Sequence, residues 1–218
     1  MVEAFSVFKE AELCQIAGEL VENKMTLQID DAGAGDLLSG VAIGAYRPES
    51  KEFAYAMIDV SLFQRPRFSK KPYIRRATQL VLQLVKQLNL SHQETVEICS
   101  SYIFEDAVRE LRRELGDQRV KVSAITGDAQ ELVENAYIDE VRKLGYEPIP
   151  EREKHRARSF FDMLRWVKRN PERFKNAKTG WPRLQRYLQP KSGRDKRDSR
   201  RGRVTARRGS RTFYRHRR

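Results

Sequence analysis

Two acids stand side by side at Asp30 and Asp31, closing the apolar run "MTLQI" just before Gly33-Ala34-Gly35-Asp36. Adjacent carboxylates repel each other. A divalent cation offsets that repulsion, and oxygen donors of this kind suit Mg2+ or Mn2+. Gly33 and Gly35 let the backbone turn sharply and approach a phosphate or a sugar. Ordinary turn chemistry also accounts for these letters, because Asp and Gly both favour tight hairpins. Two further acids lie in suggestive places: Glu97, the one acid of "TVEICSS", and Asp128 in "ITGDAQELVEN", after an apolar run and opening a helical one. Each has a plain alternative, Glu97 as an exposed strand residue and Asp128 as a helix N-cap. Glu131, one turn on, is a substitute for Asp128, whereas Glu105 and Asp106 read first as partners of a helix dipole. If the acids converge, the chemistry is phosphodiester hydrolysis with two metal ions, one activating a water and one stabilising the leaving oxygen. No rival set competes: His92, His155 and His216 have no ligand spacing, and neither a Gly-Lys-Ser/Thr phosphate loop nor a Ser nucleophile motif occurs.

These residues need elements to hold them. Residues 1–23 read as an amphipathic helix, with Phe5, Phe8, Leu13, Ile16 and Leu20 near helical spacing, suited to packing on the main domain or on a protein partner. Three β-rich runs follow at 25–30, 39–47 and 52–63, joined by Gly-, Asp-, Pro- and Ser-bearing linkers, most simply an antiparallel meander. Apolar spacing from Ile74 to Leu88 gives a helix. A strand at 95–101, a helix carrying Phe104, Ala107, Val108, Leu111 and Leu115, a strand at 119–126 and a helix at 128–145 complete the series. A meander followed by alternating helices and strands predicts an α/β fold. Its sheet is mixed, antiparallel first and then parallel through crossover helices. Residues 151–174 read as one basic helix with Phe160, Met163, Leu164 and Val167 on its apolar stripe, before a turn and a last short helix.

The order of elements is the one found in the ribonuclease H-like fold, and "QIDDAGAGDLLSGVAIGAY" resembles the first motif of ribonuclease HII, in which a strand ends in Asp-Glu-Ala-Gly-Arg-Gly. In that family the first two acids hold catalytic metal ions, and the resemblance implies those roles for Asp30 and Asp31. Asp31 replaces the family's Glu, and Ala34 replaces the Arg that helps it recognise ribonucleotides. "RFSKKPYIRRATQLV" is similar to the family's Asp-Ser-Lys segment, with Phe68 in the place of the Asp. Glu97 is similar in position to a Glu of the resolvase branch, whereas ribonuclease HII would have an Asp slightly later, at Cys99 or Ser100. Asp128 falls where ribonuclease HII carries an Asp in a similar Asp-Ala setting. The resemblance thus implies Asp30, Asp31, Glu97 and Asp128 as catalytic and metal-holding residues.

Charge divides the chain. Residues 1–150 hold 18 Lys/Arg against 24 Asp/Glu, a net of −6; residues 151–189 hold 12 against 4, a net of +8; residues 190–218 hold 13 against 2, a net of +11. An acidic front repels a polyanion and a basic rear attracts one, so nucleic acid is the expected partner of the C-terminal part. Lys154, Arg156, Arg158, Arg165, Lys168 and Arg169 form a candidate phosphate-binding face, with Trp166 or Trp181 available for stacking. The Arg-rich tail, with Arg200, Arg201, Arg207 and Arg208, continues the same sign and has almost no aliphatic residues, so it is expected to be disordered when free. A solvated face pairing with the acidic domain is the other reading of these charges. The expected organisation is an N-terminal helix at 1–23, a ribonuclease H-like domain at 24–150, a basic helical extension at 151–189 and a tail at 190–218. No run of 18 apolar residues occurs, the N-terminus lacks a signal-peptide pattern, and Cys14 and Cys99 suggest no disulfide framework. A cytoplasmic or other reducing, non-secreted setting is the expectation. The two functional readings are a metal-dependent nuclease acting on RNA, an RNA/DNA hybrid or structured nucleic acid, and a nucleic-acid-binding protein of the same fold that does not cleave.

Overall fold

The computed structural model describes residues 25–150, 152 and 154–188. Five strands form one sheet in the order β3-β2-β1-β4-β5: β1 (Thr26–Ala32), β2 (Val41–Arg47), β3 (Glu52–Ile58), β4 (Thr95–Cys99) and β5 (Val120–Ser123). The first three pair antiparallel, β4 pairs parallel with β1, and β5 pairs parallel with β4. This is the mixed α/β sheet expected from the order of elements. β1 extends further than its apolar run suggests, since Asp31 pairs with Ile43 and Ala32 with Ala42. The chain turns at Gly33 instead, whose φ of +84° suits glycine, and where a Cβ would lie 2.1 Å from the Tyr137 ring.

The helices α1 (Pro72–Gln87), α2 (Glu105–Leu115) and α3 (Asp128–Lys143) cover the sheet. Leu27, Ile29, Val41 and Ile43 face one way, into a core with Ala77, Leu80, Val81 and Leu84 of α1 and Ala107 and Leu111 of α2. The period-two alternation of a strand sends Gln28, Asp30, Gly44 and Tyr46 to the opposite face. There α3 packs on β1 and β2. Gly44 allows this close approach, because a Cβ would sit 2.9 Å from Val133 Cβ. Asp30, Glu97 and Cys99 therefore share the face that α3 only partly covers.

Several boundaries differ from the sequence expectation for local reasons. The third run leaves the sheet at Ile58, because Asp59 caps a 3-10 turn (Val60–Phe63) by accepting from the Ser61 N–H at 2.8 Å. The basic helix expected over 151–174 is shorter, α4 (Arg156–Lys168), followed by a 3-10 helix at Pro171–Asn176. Asn170 precedes a proline, takes an extended conformation and accepts from the Glu172 N–H, so the helix cannot pass through it.

The chain divides into a compact unit through Trp181 and a second unit from Pro182. Within the first, the segment after α4 returns to the loop beyond β1. Ser39 N–H donates to Asn176 O, Lys178 N–H to Leu37 O and Gly180 N–H to Phe63 O. Residues 154–181 thus share a unit with the sheet. The second unit is described as a 3-10 turn, Pro182–Leu184, and a single helical turn, α5 (Gln185–Leu188). The expected N-terminal helix at 1–23 and the whole tail at 190–218 lie outside the described residues. Among the described residues no helix is long and apolar enough to cross a membrane.

Candidate metal centre

Parallel pairing of β1 with β4 sets Gln28 opposite Glu97 and Ile29 opposite Ile98, so Asp30 and Cys99 follow as neighbours, Cys99 as the last residue of β4. One donor atom from each of Asp30, Asp31 and Cys99 lies within 4.8 Å of the other two. Asp30 is buried, at 7% exposure, and the other two are half-buried. Burial, with the Asp30 carboxylate beside it, pushes the Asp31 carboxyl up to about 6, against the pull of the Ser101 hydroxyl, Lys178 and Arg156. The Cys99 thiol donates to Asp30, and burial together with that carboxylate pushes it up to about 12; the Ser101 backbone N–H on the sulfur works the other way. Ser101 therefore contacts two of the three donors, one through its hydroxyl and one through its amide. The three open onto a cavity of about 330 Å³ whose further lining includes Gln130, Glu134, Arg152 and Arg156.

Behind this cavity lies a buried set of charges. Lys178 is fully buried, and its Nζ donates to Gly33 O at 2.6 Å and Asp36 O at 2.9 Å. Burial lowers its pKa to about 7 in spite of Asp36 and Asp31. Arg152 bridges the carboxylates of Asp36 and Glu134 and lies with its guanidinium 5.0 Å from the centre of the Tyr137 ring. The Tyr137 hydroxyl donates to Leu38 O at 2.9 Å, and burial holds its pKa well above the usual value. The loop after Asp31 is thus gripped from α3, from the entry to α4 and from the segment beyond it. An unpaired buried charge would cost several kcal/mol by the usual order of magnitude, and here each cation has oxygen partners.

The other sequence candidates occupy distinct places. Glu97 sits one pair of residues before Cys99 on the same strand face. It accepts from Ser123 Oγ at 2.7 Å and Gln28 Nε2 at 3.2 Å and pairs with Lys121 Nζ at 3.1 Å. Those contacts, the Ser123 hydroxyl foremost, hold its carboxyl below the usual range, and it lines a separate cavity with Thr26, Thr95 and Lys121. Asp128 opens α3, but Gly127 occupies the cap position, and the Asp128 carboxylate accepts from the Tyr46 hydroxyl at 3.2 Å. Glu131 is exposed, Asp106 pairs with Arg109, and Glu105 lies exposed in the first turn of α2. Among the basic candidates, Arg156 lines the acid-bearing cavity, and Lys154, Arg158, Arg165, Lys168 and Arg169 are exposed. Arg165 pairs with Asp162 at 2.5 Å, the Trp166 ring carries the Arg173 guanidinium at 3.9 Å, and Trp181 stacks near Phe160 with centroids 6.1 Å apart. Arg200, Arg201, Arg207 and Arg208 lie outside the described residues.

Asp36, Arg152, Lys178 and Tyr137 were not singled out by sequence reasoning. Asp36 carried a local signal, closing the Gly-rich loop. Lys178 and Arg152 carried none, since each meets that loop across more than 100 residues of chain.

No family model and no curated protein matches this chain. Among solved structures it is similar to Bst-RNase HIII in complex with Mn2+, with a TM-score of 0.47 and 14% identity, covering 76% of this chain and 69% of that one.

Proposed function

We propose that this protein is a metal-dependent phosphodiesterase acting on nucleic acid, with Asp30 and Asp31 as ligands of a divalent cation in the cavity that they line together with Cys99. One observation carries the reading: two carboxylates and a third donor converge within 4.8 Å inside a cavity that an arginine also lines. Two acids so placed fit a divalent cation, whose charge would offset both the burial and the Asp30 repulsion that raise the Asp31 pKa. Such a cation, when bound, supplies Lewis acidity toward a phosphoryl oxygen and favours ionisation of a water at neutral pH. The chain's own residues do the rest. Ser101 orients Asp31, while Lys178 and Arg152 fix the loop that follows it. Arg156, exposed at the cavity, offers a guanidinium to a substrate phosphate, and Lys154, Arg158, Arg165, Lys168 and Arg169 extend positive charge along the same segment. The Arg-rich tail, including Arg200, Arg201, Arg207 and Arg208, would add phosphate contacts. In this reading Glu97 and Asp128 would serve a second ion only after exchanging their present partners. A reducing, non-secreted compartment would keep the Cys99 thiol free.

A second reading has its own support. Glu97 and Asp128 are engaged by Ser123, Lys121 and Tyr46, away from the Asp30 cavity, as befits a protein of this fold that binds nucleic acid without cleaving it. Labelled RNA, DNA, hybrid and junction substrates incubated with Mg2+, Mn2+ or Zn2+ in turn separate the two. Cleavage by the wild type, lost to background in Asp30→Asn with binding retained, is expected; equal cleavage by Asp30→Asn overturns the site, and tight metal-independent binding without cleavage favours the second reading.

A further inference from the structure

The third donor of the cluster is a sulfur, and that changes which cation fits. This step rests on the reading of Asp30 and Asp31 as cation ligands, and it concerns the class of ion they hold. Magnesium takes oxygen donors in near-octahedral geometry and has little affinity for a thiolate, whereas zinc-class ions accept carboxylate oxygen and thiolate sulfur together in tetrahedral sites. The donor set here is two carboxylates and one thiol. It therefore disagrees with the all-oxygen set expected for magnesium. Bonds of about 2.0–2.3 Å place tetrahedral donors roughly 4 Å or less from one another. The observed limit of 4.8 Å is within a small side-chain adjustment of that spacing.

The surroundings agree. Cys99 is carried by a strand in parallel register with the one bearing Asp30, so its sulfur is aimed by backbone pairing and not by a mobile loop. Three protein donors would leave a zinc-class ion one tetrahedral position for water or substrate, the arrangement of a reactive rather than a structural site.

We propose that Cys99 coordinates the same cation as Asp30 and Asp31, making this a one-ion Asp-Asp-Cys centre selective for zinc-class metals. Binding forms the sulfur–metal bond and releases the thiol proton to solvent.

The test uses the full chain in a Cys14→Ser background, so that Cys99 is the one thiol, stripped of metal under reducing conditions and titrated with Co2+ alone. A near-ultraviolet sulfur-to-cobalt charge-transfer band saturating at one equivalent is expected in this protein and lost in Cys99→Ser. Zinc exceeds magnesium at most sites, so the informative quantity is the ratio of the two affinities across variants. That ratio should fall by at least about tenfold in Cys99→Asp, a scale on which even outer-shell changes move metal affinity. A measurement that needs no variant at Cys99 is its alkylation by iodoacetamide, read by mass spectrometry, which Zn2+ should block and Mg2+ should not. Cobalt bound without the band, a band that survives Cys99→Ser, or alkylation unaffected by Zn2+ overturns the sulfur ligand and leaves the Asp30–Asp31 reading standing. No metal bound by either the parent or Cys99→Asp overturns both.

Discussion

Two acidic positions on one face of the sheet, a single pair of residues apart along the strand, have opposite surroundings. At the Glu97 row, about 7 Å back from the Asp30 row, the carboxylate is met by a hydroxyl, an amide and an ammonium, and its pKa falls. At the Asp30 row the neighbours are a second carboxylate and a thiol, and burial, with the Asp30 charge beside it, raises the Asp31 pKa to about 6. Glu97 is already satisfied by the protein, whereas the Asp30–Asp31 pair is arranged at a cost that a cation would relieve. Identity of residue type says little about function here. Which partners the fold brings alongside says most of it.

The sharpest way to strain this contrast is to remove what holds the loop beneath the acid pair. Arg152→Ala leaves the buried Asp36 carboxylate without its cation and should cost about 3–5 kcal/mol, read from urea unfolding. A loss under about 1 kcal/mol would mean that the ion network does not secure the loop.

Next in size is the pH dependence of thermal stability without metal. Asp31 has a folded pKa near 6, above its ordinary 3.8, so its stabilising contribution is full below about pH 4 and lost as pH rises through 6. Lys178 has a folded pKa near 7, below its ordinary 10.5, so its contribution is full above 10.5 and lost as pH falls toward and through 7. Melting curves should therefore decline from pH 4 to 6 and recover from pH 7 to 10. Asp31→Asn should remove the decline and Lys178→Met the recovery. A saturating divalent cation should raise the melting temperature more at pH 7.5 than at pH 5, because protonated Asp31 is a poor ligand; equal rises at both would argue against Asp31 as a ligand.

The smallest effect belongs to the satisfied end of the face. Lys121 is 75% exposed, so Glu97→Gln, which removes its ion pair, should change stability by no more than about 1 kcal/mol and leave cation affinity at the Asp30 cluster unaltered. A large loss of metal affinity in this variant would erase the distinction between the two rows and bring Glu97 into the centre.

Much of this architecture was legible in the chain. Alternation in "TLQID", the apolar run "VAIGAY", helical spacing from Ile74 to Leu84, and the turn at Gly33 are local patterns, and local patterns set the order of strands and helices. The paired acids at Asp30 and Asp31 were visible for the same reason, since adjacent carboxylates beside a glycine turn are a feature of one short stretch. The order of elements called for a mixed sheet, and the arrangement of its strands was what the resemblance to the ribonuclease H-like fold implied. What the letters could not supply was register. Whether Glu97 or Cys99 stands beside Asp30 depends on a parallel pairing across about 70 residues, and a shift of two positions would exchange their roles without altering any periodicity. The same holds for Lys178 and Arg152, whose charges read in sequence as part of a basic C-terminal region and in space as buried supports of the acidic loop. Composition and local pattern determined that acids and a turn would meet at the end of a strand; only tertiary packing decided that a thiol completes the group and that buried cations hold it, because a side chain's electrostatic partners are fixed by distance in space and not by distance along the chain.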